Sequence, residues 1–154
     1  MTTGLGVLAV AVVLALGFGL WRAATDGRFR GTHRVRQQAD ATPSVEPVET
    51  TATSVLTGTP YDGQLGERAT LLQFSTAFCA PCRATRRVLD DVARIVPGVA
   101  HVEVDAEHHL DLVRRLGILR TPTTLVLDPQ GREVSRAAGA PSKQAVIASL
   151  EPLA

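Results

Sequence analysis

The chain has 154 residues, of which 4% are aromatic and two are cysteines, and its net charge is +1 at pH 7. So small a net charge gives no basis for nucleic-acid binding by bulk electrostatics. Two cysteines also cannot build the multi-disulfide scaffold of a small secreted protein. The length fits one domain with accessory segments, whose core must consist mostly of Val, Leu, Ile and Ala.

The N-terminal segment is strongly apolar. Residues 1–21 carry no charged side chain, and the stretch 4–21 is an uninterrupted apolar run of 18 residues. A helix needs roughly 20 apolar residues to span a bilayer, and Trp21 lies where an interfacial aromatic side chain belongs. A cleaved signal peptide is the alternative, but no Lys or Arg precedes the run. We therefore predict a transmembrane anchor at residues 1–22 and a single-pass position in the cell membrane.

Basic residues follow this run. Five Arg lie between residues 22 and 36, and none precedes the run. The positive-inside rule then favours a cytoplasmic position for the rest of the chain, with an extracytoplasmic position as the alternative. Residues 23–60 combine this basic juxtamembrane segment with a stretch rich in Pro, Thr and Ser, which predicts a flexible linker.

Regular elements begin near residue 69. Apolar and amphipathic patterns predict strands and helices in chain order at Ala69–Ser75 (strand), Ala80–Val96 (helix), Ala100–Val104 (strand), Glu107–Leu116 (helix), Thr123–Leu127 and Arg132–Ala137 (strands), and a last helix capped by Ser142. This order predicts an α/β domain at residues 61–154, with a central mixed sheet flanked by helices. On the first of these helices, Val88, Val92 and Ile95 are expected to form the apolar stripe.

Both cysteines of the chain lie in Cys79-Ala80-Pro81-Cys82, at the predicted start of a helix. A single C-x-x-C pair in such a chain favours redox chemistry over packing. The helix N-terminus and the nearby cation of Arg83 favour the thiolate of Cys79. Cys82 should be more buried and should resolve a mixed disulfide. Pro81 falls in the first helical turn, where its missing N–H costs little.

This order of elements, with C-A-P-C at a strand-to-helix junction, resembles the thioredoxin superfamily. Three further matches support the resemblance: Thr121-Pro122-Thr123, which looks like the family's X-Pro-Thr loop, Asp105 at the end of the second strand, and Gly139 after the hairpin. The resemblance covers about residue 65 to the C-terminus and implies a thioredoxin-like fold. Residues 121–131 are also similar to the membrane-tethered, TlpA-like branch, whose members usually work outside the cytoplasm.

The resemblance implies a thiol–disulfide oxidoreductase, in which Cys79 attacks a disulfide and Cys82 releases the product. The expected partners are protein disulfide substrates and an upstream reductase, with no cofactor and no nucleic acid. Pro81 is typical of the reducing members. Pro122 should follow a cis peptide bond, which leaves the backbone of Thr121 free to pair with an extended substrate.

Three residues depart from the family pattern. Phe78 stands where the family usually has Trp, Gln73 stands where classical thioredoxins have a buried Asp, and His101 lies near the place of the Lys partner of that Asp. Gln cannot ionise, so Gln73 cannot accept a proton from the second thiol. Water, or Glu103 if it can reach, must replace it, and we expect slower resolution of mixed disulfides.

A binding module is the alternative function. The two thiols are soft ligands that could hold Cu(I), or could serve a redox-regulated adaptor. A closed metal site needs further ligands, but His108 and His109 are expected on a helix surface away from C-A-P-C. No metal site is therefore predicted.

Overall fold

The structure, a computed structural model, describes residues 2–25, 27–31 and 53–153. Its regular elements, in chain order, are α1 (Thr2–Thr25), β1 (Phe29–Gly31), β2 (Ala69–Ser75), α2 (Ala80–Ile95), β3 (Val99–Asp105), α3 (Leu110–Arg115), β4 (Thr123–Leu127), β5 (Glu133–Ala138), α4 (Lys143–Leu150) and a 3₁₀ turn (Glu151–Leu153). The predicted order of strands and helices from residue 69 onward is confirmed.

The strands form one mixed sheet in the order β1-β5-β4-β2-β3. β2 and β3 are parallel, as a crossover through α2 requires, and the other neighbours are antiparallel. Every residue of β2 is buried, including the polar Thr70, Gln73 and Ser75, as in a strand that is covered on both faces. The predicted α/β class and central mixed sheet are therefore correct.

Each face of the sheet carries its own hydrophobic core. The first core lies on the side of α3 and contains Leu56, Leu72, Phe74, Val102, Val104, Leu112, Ile118, Leu125 and Leu127. The second lies beneath α2 and α4 and contains Ala69, Leu71, Leu89, Val92, Val99, Val126, Val146 and Leu150. Successive residues of a strand point to opposite faces, so Leu72 and Phe74 enter one core while Ala69 and Leu71 enter the other.

The sheet has an edge strand that the sequence did not predict. Phe29–Gly31, within the predicted basic segment, pairs antiparallel with β5. Gly27 supports this contact, because its N–H donates to the Ala138 carbonyl at 3.0 Å. Its φ is +74°, and a Cβ there would lie 2.2 Å from the Ala140 oxygen, so only glycine fits.

The packing of the domain begins before residue 61. Leu56 is fully buried in the first core, and the N–H of Val55 donates to the Gly131 carbonyl at 2.9 Å. These residues belonged to the predicted flexible linker. Residues 32–52 of that linker lie outside the described part of the chain.

The buried face of α2 also differs from the prediction. Its buried residues are Cys82, Thr85, Leu89 and Val92, whereas Ile95 is 57% exposed. The stripe that was predicted to include Ile95 is therefore wrong at its C-terminal end. Successive spacings of three, four and three residues place the stripe in line with Cys82, so the second cysteine lies on the buried face of the helix.

The described side chains of α1, at residues 6–21, are all exposed. Among the residues that the structure describes, none of the helices combines the length and the apolar character that crossing a membrane requires. The transmembrane anchor predicted at residues 1–22 is not supported by this finding.

Candidate active site

Cys79 and Cys82 form a disulfide with an S–S distance of 2.01 Å and a Cα–Cα distance of 5.1 Å. It lies where β2 gives way to α2. Cys79 is the N-cap of the helix, and its Sγ accepts a hydrogen bond from the N–H of Cys82 at 3.1 Å. Pro81 lies in the first turn, where a missing N–H leaves no helical hydrogen bond unmade.

The two sulfur-bearing residues differ in exposure. Cys79 is half-buried, whereas Cys82 is only 2% exposed. A partner disulfide can therefore approach Cys79 but not Cys82. This is the asymmetry that the predicted roles of attacking and resolving cysteine require.

The neighbours of the disulfide present an open surface. Ala80, Pro81 and Arg83 are exposed, and Phe78 is 98% exposed. Phe78 thus packs against nothing in the domain, so its position beside Cys79 does not serve the core.

The loop before β4 carries a cis peptide bond between Thr121 and Pro122, as predicted. Pro122 is buried and Thr121 is partly exposed. The carbonyl of Pro122 accepts the N–H of Gly139 at 2.8 Å. Gly139 has a φ of +100°, a conformation that favours glycine. The glycine predicted after the hairpin therefore holds the proline loop.

Gln73 lies in the interior beneath the start of α2. Its side chain is fully buried, and Nε2 donates to the Cys82 carbonyl at 3.0 Å. Its Oε1 is buried and has no hydrogen-bond partner among the described residues. Gln73 faces Thr124 on β4 and Glu103 on β3. The row Thr124–Gln73–Glu103 therefore runs across the sheet under the disulfide end of α2.

A cavity of about 340 Å³ opens beside the buried cysteine. Its lining consists of Tyr61, Ser75, Thr76, Ala77, Cys82, Arg83, Arg86, Glu103 and Asp105. Ser75 Oγ donates to Glu103 Oε1 at 2.6 Å, and Arg86 forms an ion pair with the other carboxylate oxygen. The hydrogen bond to Glu103 raises the pKa of Arg86 above its usual value.

The ionisable groups of this cavity interact with one another. Partial burial raises the pKa of Tyr61, and the charges of Asp105 and Glu103 raise it further. The pKa of Asp105 is lowered, first by the hydrogen bond from His108 and then by the N–H of Glu107. The cavity therefore holds two carboxylates, Glu103 and Asp105, and hydrogen bonds hold the pKa of Asp105 below its usual value.

From the sequence, Glu103 is predicted only as a possible substitute for the missing buried acid, and Ser75, Arg86 and Tyr61 are not predicted at this site. Glu103 lies on the same face of β3 as Val99, and Val99 belongs to the core beneath α2. A charged residue on a strand face that a helix covers was therefore the available signal. Arg86 and Asp90 are four residues apart on α2, but Arg86 binds Glu103 and Asp90 binds His101.

The three histidines that the structure describes lie apart from the disulfide. His101 is packed between β3 and α2, where Nδ1 lies 2.5 Å from Asp90 Oδ1. His108 is exposed, and the ring of His109 lies edge-on to Tyr61 at 5.2 Å. Within the described ranges, no group of three or more His, Cys, Asp or Glu could hold a metal ion.

Comparison with known proteins gives one family match. The family model described as Thioredoxin matches residues 52–152. The chain is 29% identical over 70 residues to a thioredoxin H-type of Fagopyrum esculentum, a match that covers 46% of this chain and 60% of the relative. It is 27% identical over 78 residues to thioredoxin H-type 1 of Nicotiana tabacum, covering 51% and 61%. The chain thus spans about three-fifths of these curated relatives.

Solved structures show the same fold. A mutant thioredoxin from Halobacterium salinarum superposes with a TM-score of 0.53 at 21% identity, covering 56% of this chain and 75% of the other. The thioredoxin of Fasciola hepatica gives a TM-score of 0.52 at 21% identity, covering 61% and 88%. At this identity the likeness concerns the arrangement of strands and helices alone.

Proposed function

Because this chain belongs to the thioredoxin family, we propose that it is a thiol–disulfide oxidoreductase that reduces disulfides of partner proteins. The observation that carries the proposal is the Cys79–Cys82 disulfide at the N-terminus of α2, with one cysteine accessible and the other 2% exposed. A purely structural disulfide would close only a four-residue loop and would constrain little of the unfolded chain.

The first step of the proposed reaction uses Cys79. In the reduced protein its thiolate is the nucleophile, and the unpaired N–H groups at the start of α2 stabilise its charge. The thiolate attacks one sulfur of the partner disulfide. The partner S–S bond breaks, the second partner sulfur leaves with the electron pair and takes up a proton, and Cys79 is left in a mixed disulfide.

The second step uses Cys82. Its thiol loses a proton, and the sulfur attacks Cys79 Sγ. The mixed disulfide breaks, the remaining partner sulfur leaves as a thiol, and the Cys79–Cys82 disulfide forms. The partner gains two electrons and two protons, so an upstream reductase must supply the same to regenerate the dithiol. Pro81 supports the reducing direction because it offers no N–H to the sulfurs.

Trapping tests this proposal. Cys82→Ser leaves the attacking thiol in place but removes the resolving one, so mixed disulfides with partner proteins should accumulate. Non-reducing gels with mass spectrometry would detect them, and Cys79→Ser is the matched control that should trap none. If Cys82→Ser yields no adducts that a reductant releases, the proposed function is wrong.

The reduction potential tests the direction. A value for the Cys79/Cys82 pair below the cytosolic glutathione range of about −220 to −260 mV would support a reductase. A value near that of strong oxidants, about −120 mV, would instead indicate that the protein introduces disulfides.

A further inference from the structure

We propose that Glu103, across the cavity beside the disulfide, accepts the proton of Cys82 when Cys82 resolves the mixed disulfide. The inference rests on the proposed function, since it concerns the second step of that reaction. Cys82 and Glu103 line the same cavity. Cys82 is otherwise closed off by the domain, so this cavity is the route from its sulfur to a base.

The carboxylate of Glu103 is held in place from two sides. Ser75 Oγ donates to Oε1 at 2.6 Å, and Arg86 of α2 pairs with Oε2. The side chain of Glu103 nevertheless keeps 24% of its surface exposed. A proton that reaches this carboxylate can therefore pass on to solvent, which a base sealed in the core could not allow.

The other groups near Cys82 are less suited to this role. Gln73 contacts the Cys82 carbonyl but cannot ionise. Asp105 also lines the cavity, but the hydrogen bonds from His108 and Glu107 hold its pKa below the usual range and make it a weaker base. Tyr61 has a raised pKa and is protonated at neutral pH.

Two cations face Glu103 from α2. Arg86 contacts it directly, and Arg83 lines the same cavity. Their positive charges also stabilise the thiolate that remains on Cys82 once its proton has moved to the carboxylate. The transfer leaves a Cys82 thiolate for attack on Cys79 Sγ, and the departing partner sulfur later takes up a proton from solvent.

The size of the effect follows from thiol chemistry. An ordinary cysteine has a pKa of about 8.5, so about 3% is thiolate at pH 7. A base that removes the proton during attack can accelerate resolution by up to about 30-fold at pH 7, but by less than about 2-fold at pH 9. A ratio that shrinks with pH is a signature that a purely structural role of Glu103 would not produce.

The test follows the reaction of the reduced full chain with the disulfide reagent dithiobis(nitrobenzoate). The first release of thionitrobenzoate reports attack by Cys79, and the second reports resolution by Cys82. Glu103→Gln should leave the first release unchanged. It should slow the second by about 10- to 30-fold at pH 7, with the deficit vanishing near pH 9.

Two variants separate the carboxylate from its surroundings. Asp105→Asn removes the other carboxylate of the cavity and should resolve within about 3-fold of the original rate. Glu103→Asp should restore most of the rate and the original pH profile. It also serves as the test if Glu103→Gln proves poorly folded by circular dichroism.

The outcomes are distinguishable. Absence of the first release would overturn the proposed function and this inference with it. A normal first release, followed by a second that Glu103→Gln leaves unchanged in rate and pH profile, would overturn the inference alone. So would an Asp105→Asn variant that slows resolution as much as Glu103→Gln with the same pH dependence.

Discussion

Replacing the buried amide of Gln73 by an apolar side chain of similar size should stabilise the oxidised protein. Gln73 Oε1 is buried without a partner among the described residues, and such a group costs about 1–3 kcal/mol. Gln73→Leu removes that cost but also loses the Nε2 bond to the Cys82 carbonyl, worth about 0.5–1.5 kcal/mol. The Cys82 carbonyl keeps its place in the helical ladder of α2.

The balance is a gain of about 1 kcal/mol in the free energy of unfolding. In a domain of this size that corresponds to a rise in Tm of about 4–8 °C. Thermal unfolding of the full chain under oxidising conditions, followed by circular dichroism, measures it directly. Since both side chains are long and unbranched at Cβ, the change in volume adds little.

Thr70→Val is the matched control on the same strand. Thr70 is also fully buried, but its Oγ1 accepts the N–H of Gly66 at 2.9 Å. Its replacement leaves that N–H unpaired and should lower the free energy of unfolding by about 1–3 kcal/mol. If Gln73→Leu is destabilised as much as Thr70→Val, the amide oxygen has a partner and the reasoning is wrong.

Two further predictions concern the domain boundary and the cavity. Leu56→Ala should lower the free energy of unfolding by about 2–5 kcal/mol because Leu56 is fully buried. Leu119→Ala is the control at a position 96% exposed, and it should change the free energy of unfolding by less than about 0.5 kcal/mol. Chemical denaturation measures both variants, and equal effects would show that Leu56 lies outside the folded domain. His108→Ala should raise the pKa of Asp105 toward its usual value, because the hydrogen bond from His108 is the largest cause of the lowered pKa. The lowered pKa means that the Asp105 carboxylate stabilises the fold above its unfolded pKa of about 3.9, and that this contribution is lost as the pH falls through the folded pKa. Carbon-13 NMR titration of both proteins measures the shift, and an unchanged pKa in His108→Ala would contradict it.

The elements that the sequence predicts best are those that a local pattern determines. The strands at Ala69–Ser75 and Thr123–Leu127 have the predicted bounds, because each is an apolar run closed by a change to turn residues. The strand at Phe29–Gly31 has only three residues and no period. It exists because β5 offers an edge to pair with, and that edge is a property of the folded sheet.

At the candidate site, too, the features that a local motif determines could be predicted, and those that depend on the folded sheet could not. The disulfide and the proline loop could be placed from C-A-P-C and Thr121-Pro122, because both are short contiguous motifs. The cavity could not, since it depends on the register that sets Gln73 beside Glu103 and on the rotation of α2 that brings Arg86 to that carboxylate. Neither the register nor the rotation can be read from one strand or helix alone.

The edge strand β1 changes what the stretch between residues 31 and 55 connects. Gly31 is paired with Ser135, and Val55 is bonded to Gly131 in the turn before β5, so both ends of the stretch are fastened to the same hairpin. The chain therefore leaves the sheet at Gly31 and returns to the same hairpin at Val55. The distance from β1 to the disulfide is set by the two strands between β1 and β2, which are β5 and β4, and not by the stretch itself.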